Sequence, residues 1–134
     1  KRPKVFVIAG SDFSTCAANS WGARLIAASG GSPISDKNGI GITGYPWLVF
    51  FGPQKLAAIG KDVEVIITLM NNERRTSSVS KEAILKDPKL KNIPAVKNGR
   101  VWEMDESDLM LPSLVRLDSS SVKVWQLLNQ QPVK

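Results

Sequence analysis

The apolar positions of this chain fall into short continuous runs separated by longer stretches with helical spacing. Lys4-Val-Phe-Val-Ile-Ala9 and Val63-Glu-Val-Ile-Ile-Thr-Leu69 are β-branched and apolar at nearly every position. Strands buried on both faces of a parallel sheet have this pattern, whereas half-exposed strands alternate. Arg100-Val-Trp-Glu-Met104 is a third strand. Between the first two, a helix is expected from about Cys16 to Ser29, with Ala17, Trp21, Leu25 and Ala28 on one face and Gly30-Gly31 as its stop. Residues 32–44 are rich in Gly, Ser, Asn and Asp and read as loop, with a short strand near Ile34. Trp47 to Phe51 is a short apolar run. Gly52-Pro53 sets up a helix that turns Leu56 and Ile59 inward and ends at Gly60. After a polar loop, Asn71 to Ser78, a further helix runs to about Asp87, where Pro88 stops it. Beyond Pro88 come a short proline-bounded turn ending at Pro94 and an Asn98-Gly99 turn that opens the third strand. A last helix covers about Pro112 to Gln130, with Leu114, Leu117, Val124, Trp125 and Leu128 on its apolar face.

Strands alternating with helices predict an α/β fold: a three-layer sandwich with a central, mainly parallel sheet, Rossmann-like, with right-handed crossovers. The chain of 134 residues is read as a single domain, 1–134, of ordinary globular composition, 43% hydrophobic and 22% charged. No apolar run is long enough to span a bilayer. The formal net charge is +6. The lysines are spread along the chain without interleaved stacking aromatics, densest between Lys81 and Lys97, so they read as a solvated surface rather than a nucleic-acid face. A basic protein does suit an anionic ligand.

Candidate chemistry narrows quickly. There is no histidine, and Cys16 is the only cysteine. The usual general base, the commonest zinc and copper ligand and any internal disulfide are thereby removed. At the start of its expected helix, Cys16 reads as small buried filler. Gly39-Ile-Gly-Ile-Thr-Gly44 matches the dinucleotide fingerprint, but Tyr45-Pro46 follows where a helix must begin, so it reads as a flexible loop. Gly60-Lys61 lacks the upstream glycine of a phosphate loop. The serines at 77, 78 and 80 read as turn and helix cap, those at 119–121 as helix surface; without a histidine none has a base. Asp105, Glu106 and Asp108 cluster after the third strand, where they could act as paired carboxylates or bind a hard cation; such a loop reads first as solvated and next as lining a ligand site.

In open α/β sheets ligands gather at the carboxyl ends of the strands. That edge is expected to carry Ser11, Asp12, Phe13 and Ser14 after the first strand, Asn71, Asn72, Arg74 and Arg75 after the second, and Asp108 and Met110 after the third. Arginine's planar fork donates two parallel hydrogen bonds to carboxylate-type oxygens, while Phe13 and Met110 offer apolar contact. No cluster of His, Tyr and carboxylates is available to cage a bare ion, so the expected ligand is an intact anionic chelate. No cofactor and no catalytic or metal-ligating residue is expected.

Several segments, in order, carry a family resemblance. Lys86 to Trp102 is the most distinctive. Lys1-Arg-Pro-Lys-Val-Phe-Val, Leu25-Ile-Ala-Ala-Ser-Gly-Gly31, Val63-Glu-Val-Ile-Ile-Thr68 and the closing helix accompany it. Together they resemble the C-terminal lobe of periplasmic substrate-binding proteins that serve ABC importers of ferric siderophores, haem and cobalamin. The resemblance implies a non-enzymatic solute-binding lobe for a metal chelate, and a partner N-terminal lobe of the same receptor. It also implies an ABC permease as partner, no nucleic acid, and a periplasmic or extracytoplasmic location with a leader or lipoprotein anchor upstream. Gln54 stands where the family carries a glutamate that docks on permease arginines. Residues 38–44 look like a local insertion. The alternative from another class is a stand-alone α/β interaction domain that has lost solute binding; an enzyme ranks third for want of a base and nucleophile.

Overall fold

The computed structural model describes residues 3–8, 15–16, 21–34, 41–42, 45–49, 60–70, 79–105, 124–126 and 128–129. Its centre is a four-stranded, all-parallel sheet of β1 (Lys4–Ile8), β3 (Ser32–Pro33), β6 (Val65–Met70) and β7 (Val101–Asp105), in the order β3-β1-β6-β7. The two apolar runs became the two central strands, as continuous hydrophobicity requires. A second sheet of three short antiparallel strands, β2 (Thr15–Cys16), β4 (Gly41–Ile42) and β5 (Tyr45–Val49), has the order β2-β5-β4.

Alternation along the strands sorts the core into two layers. Val5, Val7, Val65, Ile67, Leu69, Trp102 and Met104 face one side, where they meet Ala23, Leu25 and Ile26 of α1 (Trp21–Ala28) and the helical residues Val124 and Leu128. Phe6, Ile8, Ile66 and Val101 face the other side, against Ile84 of α2 (Lys81–Lys86), the turn residues Leu90 and Ile93, and Ala95 and Val96 of α3 (Pro94–Lys97). Helices thus cover both faces, and the three-layer α/β expectation holds.

The helix ends follow local chemistry. α1 closes in a Schellman motif: Gly31 N–H donates to the Ile26 carbonyl at 2.9 Å and Gly30 N–H to Ala27 at 3.3 Å. Gly30 sits at φ 100°, a left-handed conformation that glycine adopts without penalty. Ser80 caps α2, its hydroxyl accepting from Ala83 N–H at 3.2 Å, and Pro88 follows the C-cap Asp87. Gly99, at φ 69°, makes the turn into β7.

Five expectations change. Cys16 does not open a helix. It pairs with Leu48 in β2, because an extended Thr15-Cys16 can satisfy its backbone against β5, and α1 begins only at Trp21. Ala28 is exposed, and the buried stripe of α1 runs instead through Ala23, Leu25, Ile26 and Ser29. The glycine-rich segment supplies β4 rather than loop alone. Trp125 is 57% exposed, since Val124 and Leu128, one helical turn apart, take the inward face. Residues 94–97 also form a helical turn that their proline-bounded reading did not include; Pro94 occupies its first turn, where a missing N–H costs nothing. Ala17, Leu56, Ile59, Leu114 and Leu117 lie outside the described residues.

Candidate functional site

Because the sheet is parallel, the carboxyl ends of β1, β6 and β7 lie at one edge. Ile8 is level with Thr68, Thr68 with Glu103, and Met70 with Asp105. The chain therefore leaves this one edge after Ile8, Met70 and Asp105. These are the three segments to which the strand-end rule assigns the ligand. The residues themselves, Ser11, Asp12, Phe13, Ser14, Asn71, Asn72, Arg74, Arg75, Asp108 and Met110, lie outside the described residues, as does Gln54. Of the acidic group only Asp105 is described; it is half-buried at the end of β7.

The polar groups around that edge are built to hold its connections in place. Thr68, fully buried on β6, donates its hydroxyl hydrogen bond to the Val79 carbonyl. This ties the point where the chain returns, after residues 71–78, to the strand it left. Lys81 N–H, in the first turn of α2, donates to a Glu103 carboxylate oxygen at 3.0 Å, a favourable place for negative charge near a helix start. The Lys81 ammonium then reaches around β7 and lies 5.0 Å from the Trp102 ring centroid. A lysine laid across an outer strand also discourages another strand from pairing there. Thr15 opens β2, which lies against β1; it is 1% exposed and its hydroxyl has no hydrogen-bond partner among the described residues.

Sequence reasoning missed Thr68, Glu103 and Lys81 as a set. Thr68 was a visible signal, a hydroxyl inside an otherwise apolar run, since a buried hydroxyl must find an acceptor. No group of three potential metal ligands from His, Cys, Asp and Glu occurs among the described residues, and none of the described helices is long and apolar enough to cross a membrane.

The described residues thus form a parallel sheet flanked by helices on both faces, with the carboxyl ends of β1, β6 and β7 at one edge. Solved structures of the same fold include periplasmic solute-binding proteins and an ABC transporter substrate-binding protein. A periplasmic solute-binding protein from Veillonella parvula superposes with a TM-score of 0.69 at 17% identity, covering 97% of this chain and 39% of its own. An ABC transporter substrate-binding protein from Listeria monocytogenes gives 0.71 at 16%, covering 96% and 48%. IsdE from S. aureus, complexed with haem, gives 0.72 at 20%, covering 97% and 48%. This chain spans less than half the length of each. The sequence matches no family model, and the comparison with curated proteins found no match.

Proposed function

We propose that this chain is the C-terminal solute-binding lobe of an extracytoplasmic receptor that delivers a metal chelate to an ABC importer. One observation carries the reading: nearly the whole chain has the fold of less than half of several such receptors. In this reading residues 1–134 are one domain, a second lobe closes over the strand-end edge, and the receptor is not an enzyme. The ligand is an intact anionic complex of the iron–siderophore, haem or corrinoid kind. Arg74 and Arg75 meet its negative oxygens, the polar residues Ser11, Asp12, Ser14, Asn71, Asn72 and Asp108 line the site, and Phe13 and Met110 supply apolar contact. Gln54 faces the permease.

A cleft ligand gains affinity from burial of most of its surface, and one lobe offers one wall. Titration of intrinsic Trp fluorescence with haem, a ferric siderophore and cobalamin tests this. The chain alone should bind weakly, whereas the chain joined to its own upstream coding sequence should bind one of the three tightly. Submicromolar affinity of the isolated chain, or equally weak binding by both forms, overturns the reading.

A further inference from the structure

The end of the sheet opposite the candidate ligand edge has a charge pattern of its own. The amino ends of β1, β6 and β7 meet there: Glu64 N–H donates to the Lys4 carbonyl at 2.9 Å and Ala95 N–H to the Val63 carbonyl at 3.1 Å. Lys61 lies in the helical turn just before Val63, Lys97 ends α3, and Lys86, Lys89 and Lys91 end α2 and follow it in the turn that leads to α3; all five are exposed. None of the five has an ion pair among the described residues. The pair at this end, Lys4 with Asp62, is half-exposed and 3.8 Å apart. The lysine-rich stretch holds two carboxylates, Glu82 in the first turn of α2 and Asp87, an oxygen of which accepts from the Lys89 N–H at 2.8 Å.

The lysines are also held on a fixed frame. Leu90 and Ile93 are buried at 0% and 3%, and the turn between α2 and α3 is closed by Leu90 N–H to Asp87 and Ile93 N–H to Leu90. Anchored on both sides of Lys91, this turn carries its cations at set positions. Like charges on one anchored segment repel one another, and a polyanion that lies along them relieves the repulsion while releasing its own counterions.

We propose that this end of the fold is a docking surface for a linear, phosphate-rich polyanion, recognised by charge and not by sequence. The surrounding side chains favour that partner. A membrane-docking face adds apolar or aromatic side chains that insert, yet the large apolar residue exposed beside these lysines is Leu85, at 37%, while the exposed Trp125 belongs to the helix on the other face of the sheet. Nucleic-acid readers add aromatic stacking and arginine forks. The guanidinium here, Arg100, is committed to the Leu128 carbonyl at 2.6 Å.

The test uses this chain with fluorescently labelled long-chain inorganic polyphosphate, the affinity being followed by anisotropy across a salt series. Four engaged lysines predict a slope of log affinity against log salt of about −3, from roughly 0.7 per neutralised phosphate on a flexible strand. Lys89→Gln should make that slope shallower by about 0.7, and Lys86→Gln, Lys89→Gln, Lys91→Gln and Lys97→Gln together should remove most of it. Arg24→Gln, an exposed position on α1 with the same charge change, should leave it as it was. Circular dichroism should show an unchanged fold for all of these surface variants. Absence of binding at low salt overturns the proposal, as do equal slopes for Lys89→Gln and Arg24→Gln. Tighter binding to phosphatidylglycerol vesicles or to duplex DNA, at matched phosphate concentration, overturns it in favour of a lipid surface or nucleic acid.

Discussion

Two adjacent glycines at the end of α1 separate backbone strain from packing. At Gly31 an added Cβ would lie 2.8 Å from Ile26 Cγ2, 3.0 Å from Val5 Cγ2 and 3.1 Å from Leu128 Cδ1. Two of the three obstructing methyls sit on β-branched side chains with few rotamers to escape into. Overpacking of this kind costs about 1–3 kcal/mol, so Gly31→Ala should lose roughly that much in urea-unfolding free energy. At Gly30 an added Cβ meets nothing within 4 Å. There the cost comes from the backbone, because φ of 100° forces a left-handed conformation on alanine, at about 1–2 kcal/mol. The two losses are similar in size but differ in what relieves them. Ile26→Leu moves the branch from Cβ to Cγ and withdraws the closest methyl. Combined with Gly31→Ala it should recover about 1 kcal/mol beyond additivity; combined with Gly30→Ala it should recover nothing. A double-mutant cycle by urea denaturation measures both couplings. Equal couplings, or a Gly31→Ala variant as stable as the parent, would refute the packing argument.

Two further outcomes follow from the edge that bears the candidate site. Thr68→Val removes the donor to the Val79 carbonyl and should cost about 1–3 kcal/mol in unfolding free energy, while Thr68→Ser keeps the hydroxyl and recovers most of the loss; amide exchange at Val79 and Ser80 should rise in the valine variant only. In the complete receptor, Arg74→Ala with Arg75→Ala should weaken an anionic ferric chelate by roughly 1.5–3 kcal/mol per lost charged hydrogen bond and a neutral one far less. Calorimetric titration with the two ligand types checks this, and equal losses would make the arginines structural.

The central layers were legible because the signal behind them is local and redundant. Val5 to Ile8 and Val65 to Leu69 have no polar face to offer water, so each must be covered on both sides. Gly30, Ser80, Pro88 and Gly99 each mark a boundary through an intrinsic backbone or capping preference. The parallel direction of the strands followed from the alternation with helices, whereas their order, β3-β1-β6-β7, came with the structure. The candidate site was legible only as a location, through the rule that strand ends collect ligands. Its side chains lie outside the described residues.

What sequence alone determined about this protein is therefore its layered α/β plan and the absence of histidine chemistry. Tertiary structure decided the rest. Thr15-Cys16 became a strand because β5 supplied backbone partners that no local signal specifies. Val124 and Leu128, not Trp125, turned inward because the sheet face had room for one stripe of the helix. Thr68 found Val79, and Lys81 found both Glu103 and Trp102, across separations in the chain that periodicity cannot reach. Local propensity fixes which backbone shapes are cheap; which distant groups become neighbours depends on how the layers close on one another.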